Sequence, residues 1–226
     1  PWLSDIFVAS SRTPWGIITS LFTHLELQHL TSNLTALFVY FVIFVTSNIL
    51  LSMEEIERRV RFFLLTIFIM AIMSNLVWII LRPDTNTTGA SGLVFASEGV
   101  VTGFALLNSL RLIDIGKYDS KRQKLLLAIY MYNLAIFLFL FLQIVLAPSL
   151  FLNVAPGVNA FVHGIAFYIS FLAVMLFFQI FPLVRRREHT RQKVRLLRMI
   201  DKTIFVSLVG VLCWNWCFFF ESLLFN

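Results

Sequence analysis

Charge is what this chain has least of. Only 13% of its 226 residues are Asp, Glu, Lys or Arg, while 59% are apolar; an average soluble domain carries about 25% charged residues. That balance excludes a soluble globular domain and leaves a polytopic membrane protein, one domain by length. Cysteine is almost missing as well. Cys213 and Cys217 lie four apart in one apolar segment, which puts them on one helix face and fits packing rather than a metal or redox pair. No H-E-x-x-H zinc string occurs, and no cofactor or metal site is expected. Asp84 and Asp114 fall in loops on opposite sides of the membrane, so no aspartyl pair can form. Lys is absent from every long apolar run, which removes a Ser-Lys pair. No charged segment followed by a short apolar run opens the chain, so no signal peptide is expected.

What is present is long apolar sequence. Runs at about 27–51, 60–81, 91–110, 125–146, 158–184 and 204–225 each approach the roughly 20 residues that a spanning helix needs; the third is on the short side. The expected fold is therefore all-α, a bundle of six spanning helices. The string Glu54-Glu55-Ile56-Glu57-Arg58-Arg59 reads as a short charged turn between the first two. Residues 1–26 mix Trp2, Trp15 and Phe22 with small polar residues, as segments at the membrane interface do. A core bundle is expected over 27–184, a basic linker over 185–203 and an additional helix over 204–226.

When alternate loops are assigned to one side, all but Arg12 and Arg82 of the 18 Lys and Arg residues fall together. The positive-inside rule places that side in the cytoplasm, and so predicts a multi-pass protein of the plasma membrane. The basic run from Arg185 to Arg198, with a solvated His189, reads as a topology signal or an anionic-lipid contact, not a nucleic-acid surface.

Against this background the string Thr87-Thr88-Gly89-Ala90-Ser91-Gly92 stands out. Polar, helix-breaking backbone is tolerated at membrane depth only where protein buries it or a wet cavity is lined by it. Few other strongly polar groups fall in the outer half of the membrane: His24, His29, Asn33, Glu98 and His163. Such groups are functional candidates by default. His29 and Asn33 are four apart and share a helix face. Ser91 opens its helix, where unbonded N–H groups and the helix dipole favour a developing oxyanion. A hydroxyl becomes a nucleophile when a base takes its proton, and imidazole is the usual base; His24, His29 and His163 are the choices. Small residues at Gly92, Ala96, Gly99 and Gly103, and at Ala166, Ser170 and Ala173 after His163, form stripes of the kind that let membrane helices approach. If the two stripes face each other, His163 meets Ser91. Taken alone, the stripes fit plain packing equally well.

Three motifs then resemble one family. Gly89-Ala90-Ser91-Gly92 with Ala96 and Gly99 resembles the GxSG motif of rhomboid intramembrane serine proteases, here read as of prokaryotic type. His24, His29, Leu30 and Asn33 resemble the family's H-x4-HL-x2-N segment, and His163 with Ala166 and Ser170 resembles its A-H-x2-G-x3-G helix. The resemblance covers about 15–173. It implies a Ser91–His163 dyad that hydrolyses peptide bonds in or near membrane spans of protein substrates. It further implies an oxyanion site from His29, Asn33 and the backbone at Gly89 and Ala90, opening to the extracytoplasmic side. His24 matches a structural position. The chain departs from the pattern at Val162, Ala166 and Ser170, and at Gly16 after Trp15, and the family's first helix has no room before Trp15. Glu98, seven residues after Ser91, lies roughly 10 Å deeper by helical rise; it is expected to be hydrogen-bonded in its apolar surroundings. Two other functions compete: a catalytically inactive rhomboid-like protein that binds membrane clients, and a small transporter using the broken loop, which the lack of an internal repeat disfavours.

Overall fold

In hydrocarbon a backbone must satisfy its own hydrogen bonds, so long apolar runs fold as helices. The computed structural model describes residues 7–10, 12–23, 27–81, 86, 89–110, 120–146 and 160–180. Among them are six α-helices: α1 (Gly16–Thr19), α2 (Leu27–Asn48), α3 (Met53–Leu81), α4 (Ser91–Ser109), α5 (Ser120–Leu146) and α6 (Ala160–Met175), the last continuing as a wider π-turn over Leu176–Ile180. No β-strand is formed among the described residues. Four helices are long and apolar enough to cross a membrane, and α6 contains a shorter apolar stretch. The expected all-helical bundle is thus observed; the helix expected at 204–225 and the basic linker at 185–203 lie outside the described residues.

One helix sits inside the others. In α4, 89% of the apolar window is buried, against 17% in α2 and in α5, so α4 is the axis around which the rest pack. Glycine allows the closest approach. At Gly99 a Cβ would run into the Phe167 carbonyl oxygen, and at Gly103 it would stand 2.8 Å from Val174 Cβ. These two positions join α4 to α6, as expected of the helix pair, but the residues they meet are Phe167 and Val174 and not the small residues Ala166, Ser170 and Ala173. Gly92 does not join that pair: a Cβ there would meet Ser74 Oγ at 3.3 Å and Ala71 at 3.4 Å, both on α3. Gly92 lies seven residues before Gly99 and keeps nearly the same helix face, so it is the neighbour that changes, α3 covering that face near Ser91.

The string from Glu54 to Arg59 is not a turn but the first turns of α3. Ser52 caps it: the Glu55 N–H donates to Ser52 Oγ at 3.3 Å and the Ile56 N–H to the Ser52 carbonyl at 2.9 Å. Ser52 followed three residues later by Glu55 is the capping-box pattern, and Glu54 and Glu55 suit the positive end of the helix dipole. Arg59, counted above as a loop charge, is only 2% exposed. Its guanidinium donates to Asn48 Oδ1 at 2.7 Å, Asn108 Oδ1 at 2.9 Å and Glu55 Oε1 at 2.9 Å, and lies over the Phe104 ring at 4.7 Å. Asn108 in turn donates to the Ser47 carbonyl at 2.7 Å and to Asn133 Oδ1 at 3.4 Å. The end of the bundle remote from Ser91 is therefore tied through α2, α3, α4 and α5 by one buried cation.

Candidate active site

The site is built where the loop before α4 turns into the helix. Gly89 has φ +103°, a conformation that costs a side chain strain. A Cβ there would also stand 3.1 Å from His29 Cε1, so the bare backbone lets the imidazole of α2 lie against the loop. The Gly89 N–H donates to the Ser20 carbonyl at 2.8 Å. Asn75 of α3 fastens the same segment, its amide reaching Ser20 Oγ at 3.2 Å and the Ile17 carbonyl at 3.3 Å. The Ala90 carbonyl then accepts from the Leu93 and Val94 N–H groups at 2.9 and 3.2 Å, which starts α4 at Ser91. Ser91, half-buried, sits at the helix terminus whose first N–H groups have no intrahelical acceptor.

His163 enters from α6. It is 8% exposed, and its ring stacks on Phe95 with centroids 4.1 Å apart and planes 16° apart. Phe95 is one turn after Ser91. Helical side chains lean toward the N-terminus, so an imidazole at the level of Phe95 leans toward the turn that holds Ser91. The structure thus brings His29 to Gly89 and His163 to the turn after Ser91. Asn33, one turn along α2 from His29, is buried at 7%. His24, Thr87 and Thr88 lie outside the described residues. Among the described residues no three His, Cys, Asp or Glu side chains gather as a metal site needs.

Three participants were not singled out from sequence. Phe95 supports the imidazole; its spacing of four from Ser91 was the available signal. Asn75 and Ser20 hold the loop, and nothing local in either stretch marks them. Glu98, on the central helix, is 2% exposed. A groove of about 520 Å³ between α2 and α5 is lined by Thr31, Ser32 and Gln143 beside Val39, Ile43 and Leu140, and its surface is more apolar than polar.

The family model described as the Rhomboid domain matches residues 11–180, which takes in α1 to α6 and every candidate above. The chain belongs to the rhomboid family. No curated protein and no solved structure matches it. As a rhomboid with four long apolar helices among the described residues, this is an integral membrane protein. Rhomboids are typically intramembrane serine proteases acting on membrane proteins within the bilayer.

Proposed function

We propose that this rhomboid is an intramembrane serine endopeptidase of the plasma membrane, using Ser91 as nucleophile and His163 as base, on the extracytoplasmic side. The carrying observation is that the outer ends of α2, α4 and α6 converge, His29 lying against Gly89 and His163 against Phe95. His163 takes the Ser91 proton as Oγ attacks the peptide carbonyl carbon, and returns it to the leaving amine. Water then attacks the acyl-enzyme, His163 again moving the proton. The tetrahedral oxyanion is held by Asn33, His29 and backbone N–H groups at the start of α4, donors fixed before charge develops. Among the backbone donors that the resemblance implied, the Gly89 N–H already bonds to Ser20. Gly89 therefore contributes chiefly shape, and the N–H groups of the first turn of α4 supply the backbone donors. Charge asymmetry supports the orientation, and the largely apolar groove between α2 and α5 suits entry of a substrate segment from the lipid. No cofactor takes part in this scheme.

The test is reconstitution into liposomes with a panel of single-span membrane proteins, with products sequenced by mass spectrometry. The expected result is a cut in or near the span that is lost in Ser91→Ala and in His163→Ala. Co-purification of intact reporter with no cut, unchanged by either substitution, would instead establish the client-binding alternative.

A further inference from the structure

Asn75 lies on α3, a helix that supplies none of the residues to which the mechanism above assigns a step. It is 3% exposed, and the Ser20 to which it reaches is fully buried. A buried side-chain amide must find partners or bear the cost of desolvation. Asn75 finds them far along the chain: its Nδ2 donates to Ser20 Oγ at 3.2 Å and to the Ile17 carbonyl at 3.3 Å, both in the segment that contains α1. Ser20 is thereby held at both ends. Its hydroxyl accepts from α3 and its carbonyl accepts from the Gly89 N–H at 2.8 Å, so fixing the one directs the other. Gly89 stands two residues before Ser91 and has the positive φ that turns the loop. On the other flank, Gly92 directly follows Ser91 and packs on Ala71 and Ser74. Ala71, Ser74 and Asn75 lie within one turn of α3 on a shared face. That turn therefore grips the segment of the nucleophile on both sides, directly at Gly92 and through Ser20 at Gly89.

We propose that Asn75 is a positioning residue for the proposed active site: through Ser20 it fixes the Gly89 end of the loop, and with it the direction in which the first N–H groups of α4 meet the carbonyl oxygen attacked by Ser91. Asn75 touches no substrate in this role. The contact at Gly92 sets how closely α4 approaches α3, but van der Waals contact restrains rotation of the incoming loop only weakly. Hydrogen bonds are directional, and the pair at Ser20 supplies that restraint. Oxyanion donors act by being aimed before charge develops, and a displacement of about 1 Å can slow an oriented reaction by as much as about 100-fold. The inference rests on the protease reading, since it is Ser91 reactivity that the loop serves.

The experiment measures the rate constant and the final extent of labelling by a fluorophosphonate in the purified full chain. Asn75→Leu removes the amide at nearly constant volume. Ser20→Ala removes one of its two acceptors and leaves the Ser20 carbonyl for Gly89. The expected result is a fall in rate of about ten-fold or more for Asn75→Leu and about three-fold for Ser20→Ala, at unchanged final extent, with the double variant no slower than Asn75→Leu alone. In liposomes, with a membrane reporter that the parent cuts, kcat should fall in Asn75→Leu while KM stays, as when an interaction made only in the transition state is lost. A reduced extent at unchanged rate would mean fewer folded molecules, a purely structural role, and would overturn the proposal. Parental rates in both variants, or a raised KM at parental kcat, would overturn it too. Should Asn75→Leu yield no folded protein, Ser20→Ala decides: the three-fold fall supports the role and a parental rate refutes it. A parent that takes no label at all would remove the protease reading and this role together, an outcome distinct from the others.

Discussion

The two ends of α4 are built by different means. At the end remote from Ser91, Asn108 is held by directional bonds to Arg59, Ser47 and Asn133, within a buried polar cluster. At the Ser91 end the surfaces that meet the turn carrying the serine are a glycine against an imidazole and a phenyl ring against an imidazole. The polar ties there run beneath the loop, through Ser20 and Asn75. A buried polar cluster stabilises only when its members satisfy one another, which suits an anchor and would block a site. Shape contacts leave the serine partly exposed and able to meet a substrate. The same helix is fastened where it must stay and fitted where it must react.

Replacing the anchor should have the largest effect on stability. Arg59→Met strands Glu55 and the carbonyls of Asn48 and Asn108, at a cost of about 3 kcal/mol or more, read as thermal unfolding in detergent. A loss below about 1 kcal/mol would show that the Asn108 end is not the anchor. Gly99→Val should follow. Its side chain meets the Phe167 backbone, and overpacking of that kind costs about 1–3 kcal/mol; an unchanged melting temperature would mean that α4 and α6 separate freely. Gly89→Ala acts at the fitted end. Strain from the positive φ should cost about 1–2 kcal/mol, and displacement of His29 should slow fluorophosphonate labelling by more than the lost stability explains. Equal labelling would detach His29 from the chemistry. The smallest effect belongs to Arg61→Ala, whose ion pair with Glu57 is exposed on both sides; such pairs contribute roughly 0–1 kcal/mol, so unfolding should be unchanged within error.

The comparison also shows what could be read without coordinates. The spans that became α2 to α6, and the opening of α4 at Ser91, follow from apolar length and from one polar string, because a bilayer permits so few backbone arrangements. The pairing of α4 with α6 was legible through Gly99 and Gly103. Gly92 was not, since a stripe reports a helix face and not which neighbour covers each end of it. The start of α3 was misread because charge was weighed as a loop signal, although Ser52 and Glu55 spelled a helix cap. The burial of Arg59 depends on Asn48 and Asn108, brought to it from two other helices, and no local pattern announces a partner from elsewhere in the chain.

The central claim is that the fitted end of α4 makes one hydroxyl reactive with help from one imidazole. Intact-mass analysis of the purified chain after fluorophosphonate treatment tests it most directly. The account predicts a single adduct, mapped by peptide sequencing to Ser91, absent from Ser91→Ala and nearly absent from His163→Ala at parental melting temperature. An adduct that persists in Ser91→Ala, or full labelling without His163, would contradict it.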